Sequence, residues 1–143
     1  MANTCDALVV CCIDFRFQKY IRKWTDEHLK NKTFDLVAIA GSTKDLYSDL
    51  KQIDISKGLH DIKHVDLIHH EDCGAYGAQG KDKSVHAADL RKAKNRILSL
   101  YPDLVVHMYY LHLNGEFAPV ADEKPAVVEN PAFAQSQAQR LAR

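Results

Sequence analysis

The stretch Val65-Asp66-Leu67-Ile68-His69-His70-Glu71-Asp72-Cys73-Gly74-Ala75 decides how this chain is read. Its first half is largely apolar, and its second half carries an imidazole and a thiol three residues apart, at His70 and Cys73. Far upstream, Ala7-Leu8-Val9-Val10-Cys11-Cys12-Ile13 runs into Asp14-Phe15-Arg16 in the same manner. Short, continuous apolar runs of this kind mark strands buried on both faces. Two such strands, each ending in reactive groups, imply a fold that brings their ends together.

Working outward, the same pattern repeats. Phe17, Tyr20, Ile21, Trp24 and Leu29 have near-helical spacing, so a helix is expected over residues 17–30. Residues 34–40 read as a second strand, closed by Gly41-Ser42. Ser42 or Thr43, with Asp45 after it, is a plausible helix start. Leu46, Leu50, Ile53, Leu59 and Ile62 then form one helix or two, because Asp54 and Gly58 weaken the middle. Residues 65–69 are the third strand, and residues 76–83 read as a loop. Ser84 opens a helix through Leu100, which Pro102 stops. Residues 104–111 are the fourth strand, and Asn114-Gly115 is a tight-turn pair that lets residues 116–118 return as a short edge strand. The tail from Ala121 holds Pro125 and Pro131, and the alanine- and glutamine-rich stretch after them reads as a peripheral helix.

Strand–helix alternation predicts an α/β fold with one open, mostly parallel sheet of four strands in the order 2-1-3-4. Ligands in such sheets bind beyond the carboxyl ends of the strands, where strand order reverses. Cys12 and His70 both fall at such ends. With 143 residues, the whole chain is expected to form a single domain, with residues 121–143 peripheral. Nineteen Lys+Arg balance nineteen Asp+Glu, which gives no electrostatic case for a nucleic-acid or membrane partner. Met1-Ala2-Asn3-Thr4 has no basic start, and the run over residues 7–13 is too short to span a bilayer, so a cytoplasmic location is expected. The four cysteines follow no disulfide-scaffold spacing. Cys5 and Cys11 read as small buried hydrophobes.

Zinc takes thiolate and imidazole ligands, and a catalytic site keeps three of them plus an open position for water. Cys12, His70 and Cys73 make such a set, with His70 and Cys73 expected on one face of a helical turn. Asp14 and Arg16 alternate with Cys12, so in extended backbone all three point the same way. Arg16 is suited to hold the Asp14 carboxylate in a two-pronged grip, away from the metal. His69 reads as a hydrogen-bonded neighbour of the ligands, with a proton shuttle as the sharper alternative.

Cys-x-Asp-x-Arg at Cys12 to Arg16 and His-x-x-Cys-Gly at His70 to Gly74 together resemble the zinc-site signature of the β-class carbonic anhydrases. Ala40-Gly41-Ser42 is similar to that family's Ala-Gly turn after its second strand, and residues 110–115 to its last strand and turn. The resemblance implies Zn2+ on Cys12, His70 and Cys73, an Asp14–Arg16 catalytic dyad, and reversible hydration of carbon dioxide to bicarbonate. It also implies a homodimer or larger assembly. The alternatives are hydrolysis of carbonyl sulfide or carbon disulfide on the same scaffold, or a non-catalytic zinc-binding homologue. The chain departs from the family pattern in having Ala38-Ile39 for the usual Arg-Asn and His69 for the usual glycine. The first strand begins within a few residues of Met1, so an interface is not expected to rely on a long swapped arm.

Overall fold

The apolar runs pair as parallel strands, and the helices between them cover both faces of the sheet. The structure, a computed structural model, describes residues 3–123; the expected tail helix lies outside the described residues. In chain order the elements are β1 (Ala7–Cys11), α1 (Gln18–His28), β2 (Phe34–Ala38), a 3-10 turn (Ser42–Lys44), α2 (Leu46–His60), β3 (His64–His70), a second 3-10 segment (Gly74–Gln79), α3 (Lys83–Leu100), β4 (Val105–Leu111) and β5 (Phe117–Pro119). The five strands lie in the order β2-β1-β3-β4-β5. All pairs are parallel except β4 with β5, so the short edge strand makes the sheet mixed.

Period-two alternation divides the core. Leu8, Val10, Val65, Leu67, Val106 and Met108 face Ile53 of α2 and Leu90, Ala93 and Ile97 of α3. Val9, Cys11, Ile68 and Leu111 face α1 through Ile21, with Phe17 and Leu29 at its two ends. β1 is buried along its whole length, as a central strand must be, whereas β2 is half exposed at the edge. No helix among the described residues is long and apolar enough to cross a membrane.

Local chemistry sets several boundaries differently from the sequence reading. α2 is one helix, not two, because Asp54 and Gly58 both lie on its exposed side. Its cap is Asp45, whose carboxylate accepts from the Ser48 amide at 3.2 Å. Ile62 lies past its end and is buried on its own account. α3 begins at Lys83 with Asp82 as cap, and part of the stretch read as a loop is the 3-10 segment. The β4–β5 hairpin depends on Gly115, at φ +92°, where a Cβ would stand 2.6 Å from the Tyr20 ring.

Leu67 sits in the middle of β3, fully buried between α2 and α3. Leu67→Ala should therefore cost about 2–5 kcal/mol of folding free energy, by lost transfer energy plus a residual cavity. Denaturant titration of the two proteins checks this.

Candidate metal centre

Strand order reverses between β1 and β3, and both lines of chemistry end there. Cys12 follows the last residue of β1, and His70 is the last residue of β3. Cys12, His70 and Cys73 each offer one ligand atom, all within 4.8 Å of one another, and all three side chains are buried. The expected set is brought together.

The chain reaches Cys73 by a different route from the one expected. His70 and Cys73 do not share a helical turn: Asp72 adopts a left-handed conformation at φ +59°, and the chain reverses there. The Glu71 amide donates to the Leu111 carbonyl at 2.9 Å, and the Glu71 carboxylate accepts from the Leu113 amide at 3.0 Å. The turn is thereby pinned to the end of β4. Cys73 is fixed by donation of its amide to the Gly80 carbonyl at 3.1 Å. A Cβ on Gly80 would stand 2.4 Å from the Cys73 carbonyl oxygen, so only glycine fits.

His70 is oriented on both sides. Its Nδ1 donates to the Glu71 carbonyl at 2.8 Å, and the Phe17 ring packs against it at 4.1 Å between centroids. That bond fixes the tautomer and leaves the Nε2 lone pair free. Nε2 is buried with no hydrogen-bond partner among the described residues, and it faces the two sulfurs. A buried polar atom without a partner, beside two thiols, is what a metal ligand looks like before it is bound. Two sulfurs and one imidazole nitrogen are a donor set that suits zinc.

Asp14 and Arg16 meet as expected. Arg16 Nη2 and Nε donate to Asp14 at 2.7 and 3.1 Å, and the Arg16 amide donates to Asp14 Oδ1 at 2.9 Å. Asp14 Oδ2 is 3.9 Å from His70 Nε2. The guanidinium holds the Asp14 carboxyl below its usual range. The sequence reading missed Asp72. Arg16 also donates to its carboxylate at 3.1 Å and to its carbonyl at 2.8 Å, so one guanidinium spans both half-sites.

The thiols are not equivalent. The Cys73 thiol, the neighbouring His70 and the Gly41 amide, 3.3 Å from Cys12 Sγ, bring Cys12 down to about 4. Cys73 moves upward, because its proton is shared toward Cys12 and it is buried. Around them, Tyr76 donates to Asp89 at 2.6 Å. His69 and His86 touch through their Nδ1 atoms at 2.8 Å, and burial lowers the pKa of both. The buried, doubly bonded His69 has the form of the hydrogen-bonded neighbour rather than of a solvent-facing shuttle.

A family model described as "Putative carbonic anhydrase" matches residues 2–121. The chain belongs to this family. Among curated relatives, an uncharacterized protein of Rickettsia conorii is 28% identical over 79% of this chain and 70% of its own length. An uncharacterized protein of Rickettsia bellii is 25% identical over 87% of each. Among solved structures, a tetrameric β-carbonic anhydrase of Sordaria macrospora aligns with a TM-score of 0.60 at 11% identity, covering 86% of this chain and 84% of that one. The carbonic anhydrase of Glaciozyma antarctica aligns at 0.56 with 17% identity, covering 85% of each chain. Both likenesses establish the β-carbonic anhydrase fold for this member of the family.

Without metal, the unequal thiols make stability depend on pH. Cys12 gives up its proton far more readily in the folded chain than in the unfolded one, so this contribution grows as pH rises toward the unfolded thiol value. Above 9 the raised Cys73 retains its proton only in the folded state, so the pair's contribution falls again. Denaturation of the metal-free protein across pH should show this maximum, and Cys12→Ser should flatten its rising limb.

Proposed function

We propose that this protein catalyses the zinc-dependent, reversible hydration of carbon dioxide to bicarbonate, with Cys12, His70 and Cys73 holding the metal. The observation that carries the reading is the convergence of two thiols and a free imidazole lone pair beside an arginine-held carboxylate. When bound, the zinc ion would lower the pKa of a water from 15.7 to about 7 and so supply a nucleophile at neutral pH. Asp14 would accept a hydrogen bond from the reacting O–H group at a carboxylate oxygen and so turn the reacting oxygen toward the substrate. Arg16 keeps Asp14 ionised and, by occupying both of its oxygens, keeps it from closing the site as a fourth ligand. Asp72 fixes the other side of the guanidinium, so Arg16 cannot swing away without breaking contacts to both half-sites.

The expected results are one zinc per chain by elemental analysis and hydration activity on carbon dioxide. Asp14→Asn should keep the metal and lose activity on the order of 10²-fold or more, as for removal of a positioned polar group at a reacting oxygen. Arg16→Lys should be nearly as damaging as Arg16→Ala, because an ammonium cannot bond two carboxylates in a fork. Full turnover in Asp14→Asn, assayed on carbon dioxide and on carbonyl sulfide, would remove Asp14 from the mechanism.

This reading includes a second copy of the chain. Phe15 is 85% and Ile13 59% exposed, and they flank Asp14 at the mouth of the site. Large apolar side chains placed so openly beside a functional group mark an interface. We place the protein in the cytoplasm, where the free state of all four cysteines fits a reducing environment. Sedimentation should show a dimer or larger at micromolar concentration, and Phe15→Glu should shift it toward monomer.

A further inference from the structure

Behind the candidate metal centre, a line of hydrogen bonds crosses the interior from one turn to another. The Thr43 hydroxyl stands 2.6 Å and the Thr43 amide 3.3 Å from His69 Nε2. His69 Nδ1 stands 2.8 Å from His86 Nδ1, and His86 Nε2 stands 2.9 Å from the Gly80 carbonyl. Thr43, His69 and His86 are 4%, 2% and 0% exposed, so water completes none of these bonds.

The donors can run in only one direction. A carbonyl only accepts, so His86 Nε2 carries a proton. A neutral His86 then presents a lone pair at Nδ1, and His69 must donate to it from Nδ1. His69 Nε2 is left as an acceptor, and the Thr43 hydroxyl and amide both point at it. Every polar atom in the line is matched with both imidazoles uncharged.

Each end of the line rests on a segment that carries or hydrogen-bonds a candidate ligand. The Gly80 carbonyl accepts from His86 and also from the Cys73 amide, at 3.1 Å. Thr43 closes the Gly41–Thr43 turn, whose Gly41 amide donates to Cys12 Sγ at 3.3 Å. In the middle, His69 is the chain neighbour of His70. A buried histidine with no further role would need only its own nitrogens satisfied. This one joins the three segments in series.

We propose that Thr43, His69 and His86 form a neutral hydrogen-bonded brace that sets the mutual distance of Cys12, His70 and Cys73, with His86 as a positioning residue. The proposal rests on the reading of those three side chains as metal ligands. It assigns a role to His69, where the family pattern has glycine, and to His86, which touches no ligand side chain and no substrate.

Three variants separate the brace from packing alone. Thr43→Val removes the hydroxyl donor at nearly constant shape, and Thr43→Ser returns it. His86→Leu removes the link between His69 and the Gly80 carbonyl. The loss expected on breaking such outer bonds is about 10–100-fold in metal affinity. Zinc transfer to a chelator should therefore be faster by that order in Thr43→Val and His86→Leu, and Thr43→Ser should be restored toward the parent. In the full chain, nitrogen NMR of the imidazoles should show His69 protonated at Nδ1 and His86 at Nε2, with or without metal. Amide exchange at Cys73 should quicken in His86→Leu, also without metal. Parent-like zinc transfer in both Thr43→Val and His86→Leu, or the opposite tautomers, would overturn the brace. A parent protein that takes up no zinc would overturn the ligand reading instead, and the tautomers and Cys73 exchange would still decide the brace.

Discussion

The parallel pairing of β1 with β3 is the constraint on which the rest of the molecule depends. Its register sets Val10 opposite Leu67, so the two strands run side by side toward one end of the sheet. Cys12 comes one residue after β1 stops, and His70 ends β3. A slip of one residue would turn every side chain of a strand to the other face. It would turn Leu8 and Val10 from the α2–α3 layer into the α1 layer, so the packing of both layers enforces the alignment that the site requires. The site inherits its precision from burial of apolar groups at a distance from it.

What the ladder delivers roughly, the polar groups refine. Arg16 bonds Asp14 on its own segment and Asp72 on the other, making it a strut between the half-sites as well as a clamp on one carboxylate. A half-exposed guanidinium in an ordinary surface pair contributes little. Here two carboxylates and a backbone carbonyl bind it, and the chain reversal at Asp72 holds one of those partners in place. Gly41, Ser42 and Asp72 adopt left-handed conformations in the two turns nearest the thiols. Strained backbone at these positions lets a short loop aim a side chain at a point, where a strand end alone would not.

Much of this was legible because it rests on periodicity. The central strands announced themselves as unbroken apolar runs, and Asn114-Gly115 marked the β4–β5 return. α2 misled because its inner face carries Asp49 and Ser56 while Leu59 is exposed, so its apolar residues do not trace its buried side. His70 and Cys73 were found by type and spacing. The turn between them was misread, since a spacing of three fits a helical turn and a left-handed reversal equally well. Asp72 gave no signal, because its value is a contact with Arg16 made only in the fold. His86 did leave one. It stands four residues before Leu90, and with Leu90, Ala93 and Ile97 it forms the single buried stripe of α3. A histidine that extends an apolar stripe must find partners inside.

The central strand also buries a carboxyl group, and the contrast shows where the molecule is rigid. Asp66, in the middle of β3, is fully buried, and neither of its oxygens has a hydrogen-bond partner among the described residues. His64 Nε2 and His107 Nδ1 stand 3.3 and 3.6 Å from its two oxygens, near enough to attract and too loosely placed to bond well. A buried polar group with imperfect partners weighs against folding. Toward the other end of the same strand, His69 has both ring nitrogens bonded, and His70 lacks a partner only at the atom that faces the sulfurs. Polar satisfaction is thus poor in mid-strand and nearly complete at the carboxyl end. The order is the reverse of what stability alone would favour, since a carboxylate deep in a sheet costs more than one at its rim. It is the order to expect when hydrogen bonds are placed to hold three ligand segments still, and when the one lone pair left free is the one a metal would take.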